Sequence, residues 1–286
     1  MPKEVTFEVT NYCNQKCMHC STDAISSCES AVFMTEQKLY EFLRKYQDYE
    51  NVRFSGGEPF KHKKLHIFLE MAKRENRKTT ALSCGVVDNK PFEEEMFRKC
   101  APYLDKIVLS MHGYYLDHDC IVTNKGKFDV LTSEPPYFDI MCDSLDVVTQ
   151  HNIPFEFEAV VMKQNIDKLQ EIASCVSTMS RITDYHKPKL HLLKLVHQGR
   201  ARNLPKLTDE EISRVPKLAR ELSERYKIDV TYTKSFDGKN GCDCGSMKAA
   251  VVIVKEGDKY VWKEVGCSAL KEYDGDEKSF PCLKSM

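Results

Sequence analysis

The sequence predicts an α/β fold built on a parallel sheet, and two observations carry that prediction. Six strand-like runs alternate with helix-length amphipathic stretches across residues 1–200, and nothing in the chain is repetitive or of low complexity. The strands are expected at Val5–Thr10, Val52–Phe54, Lys78–Ser83, Lys106–Ser110, Phe155–Met162 and Lys189–Val196. Between the first two, Thr35 is placed to cap a helix carrying Leu39, Phe42, Leu43 and Tyr46 at three- and four-residue spacing. Further helices are expected over His66–Arg77, over Phe92–Leu104, within Phe128–His151 after the Pro135–Pro136 break, and over Asn165–Met179. Strand–helix–strand units of this kind wind right-handed. Periodicity alone leaves a doubly wound sheet and a partial barrel equally open.

After Arg200 the pattern changes. Thr208-Asp-Glu-Glu211 reads as a capping box opening a helix through Tyr226, with Pro216 expected to kink or shorten it. A strand at Asp229–Thr233 follows, then a hairpin of Ala249–Lys255 and Tyr260–Val265 joined by Glu256-Gly-Asp258. The expected division is a main domain over 1–200 and a small cysteine-bearing appendage over 201–286.

Composition narrows the classes. The chain has 286 residues, 42 Lys+Arg against 43 Asp+Glu, a net charge of −1 and 42% hydrophobic residues. That length buries a core without disulfide staples. The hydrophobic content excludes a disordered chain, and no apolar run reaches the roughly 18 residues of a membrane span. Near-neutral charge argues against a large nucleic-acid surface. The start enters a strand with no apolar signal segment, so a reducing cytoplasmic setting is expected. There the 13 cysteines point to metal, catalysis or burial rather than to bridges.

Spacing separates ligands from fillers. Cys13-Asn-Gln-Lys-Cys17-Met-His-Cys20 places three thiols in one loop behind the first strand. Three thiolates can bind three irons of a cubane cluster and leave the fourth iron open, whereas structural zinc wants four ligands. A zinc loop recruiting Cys28 or His19 is the alternative. Behind the second strand, Arg53-Phe-Ser-Gly-Gly-Glu-Pro59 supplies a glycine pair that admits a ligand close to backbone, with Glu58 suited to a cationic amine.

These two segments together resemble the radical S-adenosylmethionine (SAM) enzymes. The resemblance implies a partial (β/α)6 TIM-like barrel, with Cys13, Cys17 and Cys20 holding a [4Fe–4S] cluster whose open iron chelates SAM. It also implies reductive cleavage of SAM to methionine and a 5′-deoxyadenosyl radical. His19 stands where an aromatic residue packs near the adenine; Ser55, Gly56, Gly57 and Glu58 form the Gly-Gly-Glu segment. More loosely, Ser110 matches a polar contact to ribose or carboxylate, and Asn165, Leu195 and Val196 match positions flanking the adenosine. His112 and His118 lie near Ser110, and as lone loop histidines they read as solvated or structural. Where relatives carry an Arg after that serine, this chain has Val122, so that contact is lost or supplied elsewhere. Gln198-Gly-Arg-Ala201 is similar to a turn of the subgroup with a C-terminal cluster domain.

Cys84, in Ser83-Cys-Gly-Val86, stands where relatives have Thr-Asn-Gly. Strand ends of such folds border the pocket, which makes Cys84 a candidate hydrogen-atom donor to a substrate radical; a packed cysteine is the alternative. Cys242, Cys244, Cys267 and Cys282 resemble the Twitch and SPASM auxiliary-cluster domains, which implies one auxiliary [4Fe–4S] cluster. Cys28, Cys100, Cys120, Cys142 and Cys175 are left as fillers. Oxidation or epimerisation of a small molecule (a sugar, nucleotide or aminocyclitol) is expected, because the chain begins close to its first strand, where peptide-modifying relatives often carry a recognition domain. A peptide-modifying maturase and a non-enzymatic zinc module are the alternatives. A flavodoxin or ferredoxin is the expected electron donor.

Overall fold

Strand alternation sets the architecture. The computed structural model describes residues 3–133, 136–182, 188–237 and 248–265. Strands β1 (Glu4–Thr10), β2 (Asn51–Gly56), β3 (Lys78–Ser83), β4 (Lys106–Ser110), β5 (Phe155–Val161), β6 (Lys189–Lys194) and β7 (Asp229–Tyr232) lie side by side in chain order, all parallel. On one face Val5, Phe7, Val52, Phe54, Ala81, Ile107, Leu109, Phe155, Phe157, Leu190 and Leu192 are buried in the core. The other face carries Thr6, Arg53, Ser55, Thr80, Ser110, Glu156, Glu158 and His191. In a flat sheet β2 and β5 would be about 14 Å apart. Arg53 Nη2 nevertheless reaches Glu158 Oε1 at 2.8 Å, because the sheet curls toward its polar face into a partial barrel.

The helices are α1 (Glu36–Lys45), α2 (Leu65–Arg74), α3 (Glu94–Cys100), α4 (Leu116–Thr123), α5 (Lys127–Ser133), α6 (Tyr137–Gln150), α7 (Leu169–Ile182) and α8 (Asp209–Tyr226). Thr35 caps α1 as expected, its Oγ1 accepting from Lys38 N, and Leu39, Phe42 and Leu43 are buried. Each such side chain contributes roughly 1.5–3 kcal/mol; Phe42, Tyr46 and Phe54 all ring Phe7. The capping box of Thr208 and Glu211 is present, but α8 runs unbroken through Pro216. The missing N–H costs a single bond, while Val215, Ala219 and Leu222 on the buried face hold the helix. Helix α4 was not anticipated: its buried side mixes polar His118, Asp119 and Thr123 with apolar Ile121 and Val122, so it shows no apolar stripe to the sequence.

The segment after Arg200 joins the same sheet. Strand β7 is added beyond β6, making seven parallel strands where six were expected in the barrel. A hairpin of β8 (Lys248–Glu256) and β9 (Lys259–Val265) docks on the other edge, β8 parallel to β1. Buried Glu8 latches it, Oε2 accepting from Ile253 N at 2.7 Å and its carbonyl from Trp262 Nε1 at 2.8 Å. Tyr46 OH also donates to Glu264 at 2.7 Å. Among the described residues no helix is long and apolar enough to cross a membrane.

Candidate active site

The carboxyl ends of the strands gather the residues singled out in the sequence. Cys13, Cys17 and Cys20 follow β1 as free thiols, Cys13 buried and the other two half-buried. Their loop is tied on one side by Cys13 N to Ile25 O at 2.9 Å, and on the other by Lys16 N to Val122 O and Met18 N to Ile121 O, both 3.0 Å. Val122, noted for its missing arginine, thus serves through its carbonyl at the end of α4. Burial pushes the Cys17 thiol well up, and the neighbouring Cys13 and Cys20 push it the same way. Among the described residues no three acidic, histidine or cysteine side chains converge on one ion position. Thiolates on separate irons of a cubane stand farther apart than ligands around one ion.

Orphaned polar atoms concentrate in this loop: Asn11 Nδ2, both amide atoms of Asn14, Gln15 Nε2 and His19 Nδ1 are buried without a partner. Buried polar groups left unpaired are costly, and hydrogen bonds to sulfur are a means by which proteins tune iron–sulfur clusters. Three reduced thiols in a segment that also carries these unpaired polar atoms therefore fit a [4Fe–4S] group.

The glycine pair lies against the same loop. A Cβ on Gly56, whose φ is +137°, would fall 2.1 Å from Thr10 O, and one on Gly57 2.2 Å from Tyr12 O. Only glycine allows the contacts Gly57 N to Thr10 O (2.6 Å) and Glu58 N to Tyr12 O (2.8 Å). Ser55 is half-buried at the end of β2, beside Glu8 in register. Glu58 is wholly buried. Its Oε1 accepts from Phe60 N and Ser83 Oγ, and its Oε2 from the backbone N (2.9 Å) and thiol (3.1 Å) of Cys84. Burial raises its pKa although these four bonds pull it down. The Cys84 thiol is also 3.3 Å from Val86 O, and its pKa is pushed well up by the neighbouring Cys13, burial and Glu58.

His19 packs on His112 at 3.9 Å between ring centroids, and His112 stacks on His118 at 6.0 Å. Neither lone histidine is solvated. His118 Nδ1 accepts from His112 N and His112 Nδ1 from Val160 N, which places both ring protons on Nε2. Burial holds all three rings neutral, His19 at about 3 and His118 at about 4. Ser110 is half-buried at the end of β4, opposite Glu158. The Asn165 amide is committed to backbone: Nδ2 donates to His112 O and Val160 O, and Oδ1 accepts from Met162 N. Leu195 is buried with Ile121, Met162 and Ala201, and Val196 is half-buried beyond the end of β6. Cys242, Cys244, Cys267 and Cys282 lie outside the described residues.

Two features escaped the sequence reading. Arg53 bonds Glu4 at 3.3 Å and Glu158 at 2.8 Å on the concave face; burial opposes its charge, but the two carboxylates outweigh that and raise its pKa. Buried Glu8 is the second. In both cases a charge at an inward strand position was the available signal.

The family model for the radical SAM superfamily matches residues 7–176. The chain belongs to the radical SAM superfamily. Membership implies a [4Fe–4S] cluster and SAM, and makes the protein a radical SAM enzyme. The antilisterial bacteriocin subtilosin biosynthesis protein AlbA of Bacillus subtilis is 21% identical over 260 residues, 90% of this chain and 54% of AlbA. The S-adenosylmethionine-dependent nucleotide dehydratase RSAD2 of Danio rerio is 30% identical over 168 residues, 58% of this chain and 45% of that protein. The radical SAM chain thus spans about half the length of these two relatives. Streptococcus suis SuiB, solved with its precursor peptide SuiA, superposes with a TM-score of 0.67 at 13% identity, over 96% of this chain and 62% of SuiB. That likeness shows the shared fold, a partial barrel followed by an antiparallel hairpin.

Proposed function

We propose that this radical SAM enzyme modifies a peptide. The observation that carries the reading is the reach of the AlbA match: at 90% of the chain it runs past the barrel into the hairpin region, whereas the nucleotide dehydratase match covers 58%. Bacteriocins are peptides, and SuiB is a second relative of like fold recorded with a peptide. This favours the peptide alternative over the small molecule expected from the sequence. Modification of a nucleotide is the second reading, supported by the dehydratase match.

Cys13, Cys17 and Cys20 would hold the cluster, and Glu58 with the backbone of Gly56 and Gly57 would receive the amine of SAM. When bound, cluster and cofactor together supply a 5′-deoxyadenosyl radical that takes hydrogen from the substrate. The neutral rings of His19 and His112 would border the adenosine, with Leu195 and Val196 as apolar neighbours and Ser110 as a polar one. Arg53, Glu158 and His191 on the concave face would orient the substrate below. The Cys84 thiol is engaged by Glu58 and the carbonyl of Val86, which supports a role in holding that carboxylate over hydrogen donation to substrate. Residues 201–286 would form the auxiliary unit, with Cys242, Cys244, Cys267 and Cys282 around one further [4Fe–4S] cluster.

The test is anaerobic reconstitution followed by dithionite and SAM, with peptides and nucleotides offered separately. Formation of 5′-deoxyadenosine with a mass change confined to peptide supports the reading. Turnover of nucleotides alone replaces it with the second. A Cys13/Cys17/Cys20→Ala variant should lose one cluster's iron and all cleavage.

A further inference from the structure

The turn after β6 is built against the cysteine loop, and its arginine reaches into it. Gly199 has φ +56°, and a Cβ there would fall 2.6 Å from Cys20 O and 2.8 Å from Ser21 O. This close approach lets Arg200 N donate to Cys20 O at 3.0 Å. The Arg200 side chain then crosses the loop: Nε donates to Cys17 O at 3.0 Å, and Nη1 to Ala24 O at 2.7 Å and Asp23 Oδ1 at 3.1 Å. Carbonyls of two of the three cysteines are therefore held by one residue 180 positions or more away in sequence. The Arg200 side chain is about four-fifths buried, while its carboxylate partner among the described residues, Asp23, is 67% exposed and so screened by water.

We infer that Arg200 is a positioning residue for the cluster, its fork fixing the loop and its charge easing one-electron reduction. The inference rests on Cys13, Cys17 and Cys20 as the ligands. A planar guanidinium presents donors in a fixed fork, which a lysine ammonium lacks. A [4Fe–4S] group that gains an electron becomes one unit more negative, and a nearby, largely buried cation stabilises that state. The fork and the charge are thus separable by substitution.

The experiment compares full-length wild type with R200Q, R200K and R202Q, all reconstituted anaerobically. Readouts are iron per chain, the rate of bleaching by an iron chelator, and an EPR-monitored reduction titration. R200Q should have a reduction constant about tenfold smaller, close to 59 mV more negative for one electron, and bleach several-fold faster. R200K should recover the potential but not the slow bleaching. R202Q removes the same charge from an exposed neighbour on the same turn, and should match wild type. Wild-type potential and bleaching in R200Q, or an equal shift in R202Q, overturns the inference. If R200Q does not accumulate folded, R200K decides, and bleaching at the wild-type rate overturns it. Retention of that cluster's iron in the Cys13/Cys17/Cys20→Ala variant would instead overturn the ligand assignment, whatever Arg200 does.

Discussion

Gly57→Ala isolates one contact at the site. Unlike Gly56, Gly57 has no left-handed φ, so alanine there meets no backbone strain. It meets the loop instead. The new Cβ would lie 2.2 Å from Tyr12 O, 2.5 Å from Tyr12 C and 2.9 Å from Asn11 C, all backbone atoms that cannot swing aside. Against an optimal separation near 3.5 Å, the end of β2 and the cysteine loop must part by roughly 1 Å. That stretches the Gly57–Thr10 and Glu58–Tyr12 bonds beyond useful length. Each contributes about 0.5–1.5 kcal/mol net, and groups left buried and unpaired cost about 1–3 kcal/mol. A loss of about 2–5 kcal/mol follows, shared between stability and cofactor binding. Because 1.4 kcal/mol is tenfold in affinity, SAM should bind 10- to 100-fold more weakly by equilibrium dialysis, with reduced iron retention and a lower urea midpoint. Gly257→Ala is the control: φ is +57° but nothing lies within 4 Å, so it should cost about 1 kcal/mol and leave SAM binding alone. Wild-type iron content and SAM affinity in Gly57→Ala would refute the reasoning.

Three further outcomes are expected. Burial raises Asp119 to about 6, so the folded state holds a proton that the unfolded chain loses near pH 4. Its stabilising effect is full below that pH and is lost as pH rises through about 6. Asp119→Asn keeps an acceptor for Phe138 N, should gain about 1–2 kcal/mol at pH 8, and should flatten the change in urea midpoint between pH 5 and pH 8; an unaltered slope contradicts this. Glu8→Ala strips the acceptor from Ile253 N and should cost about 1–3 kcal/mol, seen as faster amide exchange along β8, with Glu8→Gln milder; equal exchange in all three proteins counts against the latch. Cys84→Ala should weaken SAM binding several-fold while the product keeps its mass and stereochemistry; a changed product would restore hydrogen donation.

Most of the barrel was readable because buried strands announce themselves. Lys78–Ser83 and Lys106–Ser110 match to the residue, and Thr35 and Thr208 mark their helices through capping chemistry. Helix α4 was hidden because polar His118, Asp119 and Thr123 sit on its buried side and erase the amphipathic period. The predicted strand through Val196 ends at Lys194, and the predicted helix from Asn165 begins as a 3-10 turn with α7 starting at Leu169. At the site, the cysteine loop and glycine pair were legible from spacing, since both depend on residue types that nothing else replaces. The partners of Arg53, Cys84 and Arg200 were not, because each contact joins separate strands: Cys84 meets Glu58 at neighbouring strand ends, and the curl of the sheet brings Arg53 to Glu158 and Arg200 to the cysteine loop.

The docking of β8 along β1 bears on the order in which the molecule can be made. One flank of β1 finds β2 about fifty residues on, but its other flank waits for a strand nearly 250 positions later. Until then the strand leading into the cysteine loop is an open edge, with unpaired N–H and C=O groups able to template association with other chains. Contacts of such sequence separation form slowly. A chain shortened at Arg200 would carry that open edge permanently and lose β7 from the opposite side. The segment that reads as an appendage is the piece that finishes the sheet.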